Sequence, residues 1–513
     1  MLVFDIESDG LLPGQKEGAD ITKVHCINAY DRATGASFRF TDHEFYQKED
    51  GTTSDVPTPR DGDIDMGLWA LSQAKVVAGH NIIGYDLPAL KYVYPEWADR
   101  LPSVGYDSSV AGKCLYPNLK DKDWANKRKG KLPEDFFAGG NSLKQWAQRA
   151  GKNLKTDFDP KTYGHTWGSM PFTKIMDDYC TDDVMANVDV IEMQESAPGY
   201  SQVALDLEFE VARTITLQER TGVRFDLEAA NKFCAKLYVE LHELETLARK
   251  SFAPFYLKDK EFTPKRDNKK MGYVGGAVLT KVKLTEFNPG SRRHIENRLR
   301  SKYDWEPTEL TKTGLAEITE DTLGTLPFEE TKTITRYMTV QKRLSQLAEG
   351  NQAWLKKVAK DGRLYRRFDQ LGTGTGRMSH FGPNLAQVPK NESLYGAECR
   401  GLFIADEGRV IVGMDADALE LRILAHFLAA FDKGAYTATV LEGKKELGTD
   451  MHTRNMKAVG LTKRDTAKTW FYAFIYGAQD FKLGTIVLSE WLEAKLMKFY
   501  KAYPPGNARQ AAI

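Results

Sequence analysis

The chain has 513 residues and a mass of 57.8 kDa, with 71 basic and 71 acidic side chains and a formal net charge of zero. That length exceeds one ordinary hydrophobic core and calls for three or four compact units, and neutrality excludes a global field as the means of holding nucleic acid, leaving local basic surfaces. At 42% hydrophobic and 28% charged residues, without an apolar run near the roughly 20 residues that span a bilayer, the composition is that of a soluble globular protein and excludes a disordered or membrane chain.

The first residues, Met1-Leu2-Val3-Phe4-Asp5-Ile6-Glu7, carry acids where a secretory leader carries a basic and then an apolar region, so a cytoplasmic location is expected. Residues 1 to about 190 alternate short β-branched runs, Leu2 to Ile6, Val24 to Tyr30 and Lys75 to Ala78, with helical patterns, which indicates an α/β layer fold. In the first strand Asp5 and Glu7 are two apart and share a face. Two like charges there repel unless a cation lies between them; taken alone, the pair also suits a solvated edge strand. The strand Val76-Val77-Ala78 runs into Gly79-His80-Asn81, and Asp86 follows Tyr85 at the mouth of the strand-to-helix turn. The run Lys120 to Lys131 surrounds Trp124 with cations and reads as a solvated loop, or as a guide for single-stranded DNA by charge and stacking. Farther on, Tyr179 and Asp183 are four apart on one helix face, with Asp182 on another.

The stretch Glu195 to Ser201 reads as a loop and a boundary. From Leu205 the pattern is helical, and Leu227 to Lys250 predicts one long helix. Residues 254 to 283 are lysine-rich and glycine-containing and predict a basic exposed loop. Helices resume near Ser291, and a unit of mixed strands and helices begins near Arg363. The last predicted helix starts at a capping pair, Thr462 with Asp465, and ends at Gly477. Along it Arg464, Lys468, Tyr472 and Tyr476 recur every fourth residue in a slowly drifting stripe. Two cations followed by two aromatics suit phosphates and a base; spacing alone equally suits an amphipathic helix with tyrosines in a core. The five cysteines, at 26, 114, 180, 234 and 399, form no CxxC and are odd in number, which indicates reduced thiols and neither a disulfide framework nor a zinc site.

In order along the chain, Asp5-x-Glu7, Asn81 with Tyr85-Asp86, and Tyr179-x-x-x-Asp183 resemble the three exonuclease motifs of DEDD nucleases of the tyrosine subtype. The resemblance implies that Asp5, Glu7 and Asp183 hold one divalent ion, that Asp5 bridges to a second, that Asp86 acts through that second ion, and that Tyr179 orients the attacking water. Two ions per active site, Mg²⁺ with Mn²⁺ able to substitute, agree with a carboxylate donor set and with two-metal cleavage of a phosphodiester.

The pattern Arg464-x-x-x-Lys468-x-x-x-Tyr472-x-x-x-Tyr476-Gly477 resembles the fingers helix of family A, polymerase I type, DNA polymerases, and Val412 to Arg422 resembles their first palm motif. By that resemblance Asp415 ligates the polymerase metals and Glu420 is the steric gate against a 2′-hydroxyl. His452 joins Arg464 and Lys468 on the triphosphate, and Tyr472 accepts dideoxynucleotides. Thr375-Gly376-Arg377 and the Asn384 to Pro389 run resemble DNA-contacting segments, which assigns Arg377, Asn384 and Gln387 to DNA. Phe287 to Ser291 and Gln341-Lys342-Arg343 resemble thumb motifs. The resemblance covers nearly the whole chain and is nearest to the replicative polymerases of short-tailed bacteriophages. It implies an α/β multidomain fold: an RNase H-like exonuclease domain at 1–195, a helical thumb at 205–362, a partial palm at 363–445 and partial fingers at 446–513.

The family's second palm motif, a His-Asp-Glu sequence, does not occur in the 36 residues after Gly477, which end in Pro504 to Ile513. Asp415 alone leaves the metal pair short of ligands, so negligible polymerisation by this chain alone is expected. A split polymerase completed by a second polypeptide, a truncated product and an incomplete record are all compatible with that, and uncovered apolar surface is expected. Expected partners are primer-template DNA, a single-stranded 3′ end and dNTPs. The short 254–286 region argues against a thioredoxin-type processivity factor. Two other functions fit the same residues: an exonuclease with a vestigial polymerase region, and a non-catalytic primer-template or nucleotide binding module.

Overall fold

The computed structural model describes residues 1–13, 20–151, 158–307, 309–311 and 313–502, so the run Pro504 to Ile513 lies outside the described residues. The chain forms two compact units, Met1–Val410 and Ile411–Ile513.

The first unit opens on a five-stranded sheet in the order Ala36–Phe40, Val24–Asp31, Leu2–Ser8, Val77–Gly79, Tyr106–Asp107. The first three strands pair antiparallel and the last two join in parallel. Leu2–Ser8 is therefore central, and Val3, Phe4 and Ile6 along it are buried with Ile27, Val77 and Ala78 of its neighbours. Each such apolar side chain, fully buried, contributes about 1.5–3 kcal/mol. The helix Lys174–Glu195 covers this sheet through Val184, Val188 and Ile191. Thr173 starts it, its hydroxyl accepting from the Met176 amide at 3.3 Å. Gly79 ends its strand because nothing larger fits: a Cβ there would lie 2.2 Å from Ile82 and 2.7 Å from the Phe4 carbonyl.

The predicted loop at 195–201 is present between the helices Lys174–Glu195 and Gln202–Thr221. The long helix is Leu227–Ser251, capped by Asp226, whose carboxylate accepts from the Ala229 amide at 2.9 Å. It packs on Glu329–Leu344, burying Phe233, Leu237, Val340 and Leu344. Its far end shares a second core with Phe287, Ile295 and Ile334. The helix after Ser291 begins as expected, with Ser291 as its cap.

Two predicted loops are regular structure. Residues 255–285 form an antiparallel ribbon, Phe255–Phe262 with Leu279–Thr285, paired from Phe255↔Thr285 to Phe262↔Leu279 with a register slip at Lys281/Val282. Phe255 and Leu257, two apart and less exposed than Tyr256 and Lys258, give a short period-2 signal that the lysine content masked. Residues Leu119–Arg128 form a helix because Asp123 is buried against Arg149, 2.8 Å away, and tethers its inner face.

In the second unit Leu421, Met451 and Phe471 form the core under the helices Leu419–Asp432, Met451–Val459 and Arg464–Ile475. The mixed pattern after Arg363 is present as the strands Arg363–Leu364, Arg367–Asp369, Ser379–Phe381 and Phe403–Ile404, but no unit begins there: these strands belong to the first unit, which runs on to Val410. The palm-like run Arg409 to Ala416, by contrast, holds no strand among the described residues. A strand needs a hydrogen-bonded neighbour, and among the described residues none pairs with this segment, where Val410 (81%), Val412 (77%) and Met414 (96%) are exposed.

Candidate functional site

The central strand delivers Asp5 and Glu7 to one place, as their period-2 spacing requires. Oxygens of both carboxylates and the Cys180 sulfur lie within 4.8 Å of one another. Asp5 is half-buried, while Glu7, Asp86 and Asp183 are buried. Asp86 is the first residue of the helix Asp86–Val93. The turn before it is held open by Asp107, whose carboxylate accepts from the amides of Asn81 at 2.9 Å and Ile83 at 3.1 Å. That grip keeps Asn81 in the left-handed region, at φ +66°. Tyr85 pins the same turn to the central strand: its hydroxyl donates to the Gly10 carbonyl at 2.6 Å and lies 2.6 Å from the Ser8 hydroxyl. Burial pushes the Tyr85 phenol up to about 12.

The acids act electrically on Asp86 and on Tyr179. Burial first, then the charges of Asp107 and Asp183, push the Asp86 carboxyl up to about 7. Tyr179 is hydrogen-bonded to Asp183, one turn away on the same helix face, and burial together with the charges of Asp183, Glu7 and Asp5 holds its phenol protonated. The tyrosine opens on a groove of about 440 Å³ lined by Arg39, Phe158, Asp178 and Thr181. The structure thus brings together Asp5, Glu7, Asp86, Tyr179 and Asp183. Buried oxygen donors that repel one another fit hard divalent cations, and these residues would hold them.

Sequence reasoning missed the supports beneath this site. Asp107 was legible as an N-cap, since Ser108 and Ser109 begin a helix behind it. Asp177 is buried and receives hydrogen bonds from Asn28 (2.8 Å), Arg39 (2.8 Å) and Tyr46 (2.7 Å), partners that lie 131 to 149 residues away along the chain. No local pattern reveals such a network. Cys180, noted only as a reduced thiol, donates to Asp5 Oδ2 at 3.8 Å. Trp124 is 47% exposed with the Lys127 ammonium 4.9 Å over its ring, but that ammonium also donates to the Phe136 carbonyl at 2.9 Å.

The second unit carries the other constellation. Arg464, Lys468, Tyr472 and Tyr476 do line one helix, but Thr462 does not cap it with Asp465. The cap residue is Lys463, without a side-chain cap. Glu490, from the helix Asp480–Ala502, serves instead, its carboxylate accepting from the amides of Thr462 and Lys463 and from the Thr462 hydroxyl at 2.8 Å. A carboxylate at the positive helix end satisfies both the orphan amides and the dipole. Gly477, at φ +81°, ends the helix as predicted.

Arg464 reaches Asp450 Oδ1 at 2.8 Å. Against the upward push of its burial, hydrogen bonds from Arg464 and Thr453 pull the Asp450 carboxyl down to about 2. His452 is buried, and burial together with the charges of Arg464 and Lys468 lowers its pKa. The Tyr472 ring lies 5.9 Å from the His452 ring and 6.3 Å from that of Tyr476. Tyr476 donates to Glu420 Oε1 at 2.9 Å. Lys468 is exposed, as is Asp415, and Asp417 beside the latter faces Arg422 at 3.9 Å. In the first unit Arg377 is exposed in a turn, Asn384 caps the turn Leu385–Gln387 by accepting from the Ala386 amide at 3.1 Å, and Gln387 is exposed.

Residues 266–506 match the family model described as DNA polymerase family A. The chain is 31% identical to the DNA-directed DNA polymerase of Escherichia phage T7 and 32% identical to that of Enterobacteria phage T3, each alignment covering 95% of this chain and 77% of the relative. Its fold is similar to a solved polymerase domain of Pol1 from M. smegmatis in complex with DNA primer-template and dNTP, with a TM-score of 0.58 at 17% identity over 99% of this chain and 73% of that one.

Proposed function

The chain belongs to DNA polymerase family A and is phage-like within it, and from that premise we propose that it is a DNA-directed DNA polymerase whose N-terminal unit is a 3′-to-5′ proofreading exonuclease acting in DNA replication. The observation that carries the exonuclease reading is the convergence of Asp5, Glu7, Asp86 and Asp183 with Tyr179 around one central strand. A mixed five-stranded sheet with acids on its middle strand and a covering helix that returns a further acid supports an RNase H-like domain. Divalent ions, Mg²⁺ with Mn²⁺ able to substitute, would be held by Asp5, Glu7, Asp86 and Asp183, and when bound they supply charge neutralisation at the scissile phosphate and at the attacking oxygen.

The protein's own residues do the rest. Tyr179, kept protonated, orients water by hydrogen bonding and does not abstract its proton. The groove beside Tyr179 offers Arg39 to a phosphate and Phe158 to a base of a single-stranded 3′ end. In the second unit Lys468, with His452 and Arg464 behind it, faces a triphosphate, Tyr472 and Tyr476 offer ring faces, and Glu420 is held by Tyr476 as the steric gate. Asp415 is the polymerase metal ligand in this reading, and strand extension needs a further carboxylate beside it. Arg377, Asn384 and Gln387 contact primer-template DNA. The ribbon 255–285, with eight basic and three acidic residues, adds a phosphate-binding surface.

The test is an end-labelled primer-template in Mg²⁺ with and without dNTPs, run beside an Asp5→Ala/Glu7→Ala variant. Degradation lost in the variant supports the exonuclease; degradation that persists removes it. Extension by the chain alone shows that another acid completes the palm metals. Extension only on adding a separate polypeptide that carries the second palm motif assigns that acid to a partner.

A further inference from the structure

We propose that the groove between residues 113–141 and the loop 369–374 binds the interior of a single strand of nucleic acid. The groove holds about 430 Å³ and shares no lining residue with the one beside Tyr179; its size falls in the range of about 300–1,000 Å³ typical of ligand sites. Both walls belong to the first unit. One is the helix Leu119–Arg128 with the turn that follows it: the Gly139 amide donates to Asp123 at 2.8 Å, and Gly139, at φ +83°, sits so close to Lys120 that a Cβ would stand 3.1 Å from that side chain. The lysine stem is thereby seated on the wall while Lys120 stays exposed. The other wall is Leu371 to Gly374, folded by hydrogen bonds to Thr373: the Arg377 amide donates to its hydroxyl and the Gly376 amide to its carbonyl, each at 2.9 Å. A Cβ on Gly374 would meet nothing within 4 Å, so it is the glycine that leaves this edge as bare backbone, open to close approach by a phosphate.

The chemistry of the lining selects the occupant. Phe137 is 72% exposed on this groove while its neighbour Phe136 is buried. A ring held out by a structured turn suits stacking on a base, and an unpaired strand offers base faces that a duplex keeps within its stack. From Lys113 to Asn141 there are seven basic and four acidic residues, and one of the acids, Asp123, is taken up by Arg149. Lys120 lines the groove, and the Lys122 ammonium stands 5.1 Å over the ring of Tyr116, which lines it too. The alternative role is a plain crevice between two packed parts, joined by the ion pair of Lys113 with Asp369 at 2.8 Å. The two roles differ in sign. If the pair only bolts a crevice, breaking it gains nothing for a ligand; in a binding groove Asp369 withholds Lys113 from phosphate and repels the strand, so removing its charge strengthens binding. Lys113 and Asp369 also line a smaller pocket of about 140 Å³ beside Asn81 and Asp107, and the carbonyl of Asn141, another lining residue, accepts from His80 Nε2 at 2.9 Å. A strand held here lies beside the turn that carries Asp86, and delivery of its 3′ end to the acids is the one consequence that rests on the exonuclease reading.

The experiment follows the fluorescence anisotropy of a labelled oligothymidylate closed into a circle as the full chain is added in EDTA. The circle has no 3′ end, and the chelator leaves no ion for hydrolysis. Phe137→Ala is expected to weaken binding at least about 5-fold, the lower scale of one lost base stack. Lys120→Glu should weaken it and flatten its log–log salt dependence by about 0.7, one phosphate contact on a single strand; if that variant does not fold, Lys120→Gln replaces it with the same expected direction. Asp369→Asn keeps an acceptor for the Leu371 amide and is expected to bind more tightly than the wild type. Three variants that titrate like the wild type overturn the proposal. So does weaker binding in Asp369→Asn with the other two unchanged, which assigns the ion pair to the fold. An unlabelled duplex that displaces the circle as well as an unlabelled circle does overturns the single-strand assignment. Binding that depends on Phe137 and Lys120, in a chain that hydrolyses no DNA when Mg²⁺ is supplied, sustains the groove while removing the exonuclease reading.

Discussion

In the N-terminal unit Glu7, Asp86 and Asp183 are each more than nine-tenths buried, whereas in the C-terminal unit Asp415, Glu420 and Lys468 lie exposed. Burial makes the first constellation costly without a cation, as the Asp86 carboxyl, raised to about 7, records. Its geometry is fixed by the fold around it, through Asp107, Asp177 and Tyr85. The second constellation is a screened surface whose charges cost little and bind little until a ligand covers them. There the well-ordered contacts, Arg464 with Asp450 and Tyr476 with Glu420, are between the site residues and their supports. One site is preformed by burial and the other is a platform.

The sharpest way to break this contrast is to empty the buried site. Asp5→Ala with Glu7→Ala should reduce metal-dependent degradation of labelled DNA by on the order of 10³-fold, the upper scale of single electrostatic contacts in catalysis, without lowering the melting temperature, because two repelling acids are removed. A large fall in melting temperature would show that the acids hold the fold together. The ribbon comes next: Lys265, Arg266, Lys269 and Lys270 all changed to Glu should weaken primer-template binding and flatten its salt dependence by up to about 0.9 in log–log slope per lost phosphate contact. An unchanged slope excludes the ribbon from the DNA surface. On the platform, Lys468→Ala should raise the dNTP dissociation constant about 10- to 100-fold, the range of a lost charged hydrogen bond, and leave degradation unaltered; titration calorimetry on the primer-template complex reads both wild type and variant.

The smallest effect tests burial itself. His25 is 1% exposed, and burial, then the charge of Lys23, lowers its imidazole from 6.5 to about 3. Below pH 6.5 the unfolded chain takes up a proton that the folded chain refuses. Stability from this residue is therefore present above pH 6.5 and is lost toward pH 3, by about 1.4 kcal/mol per pH unit. In His25→Leu, urea unfolding between pH 6.5 and 5 should show a slope shallower by that amount. An identical slope would mean that His25 is hydrated in the folded chain.

The motif acids were legible because strand and helix periods fix which residues share a face. Asp5 with Glu7 and Tyr179 with Asp183 needed only those periods. The Leu227 helix and the cap at Ser291 were legible for the same local reasons. What escaped was non-local. Glu490 caps a helix that starts 26 residues before it in the chain, so a distant carboxylate does the work that local spacing assigns to Thr462 and Asp465. The Leu119–Arg128 helix depends on Arg149, and the ribbon 255–285 on a partner strand, so neither could be read from its own composition. The run Val410 to Met414 shows the converse: a sequence of strand-forming residues stays irregular where no neighbour among the described residues supplies the hydrogen bonds.

The ribbon also bears on how the chain would come apart. Its tip presents Lys265, Arg266, Lys269 and Lys270 on exposed backbone near the midpoint of the chain, and exposed loop tips are preferred sites of proteolytic nicking. A protease specific for lysine and arginine would leave two fragments of similar length. They would remain joined, because Phe252 and Phe255 before the nick are buried with Phe287, Ile295 and Ile334 after it. A covalently broken chain would thus persist as one particle, visible as two bands on a denaturing gel and as a single species in gel filtration.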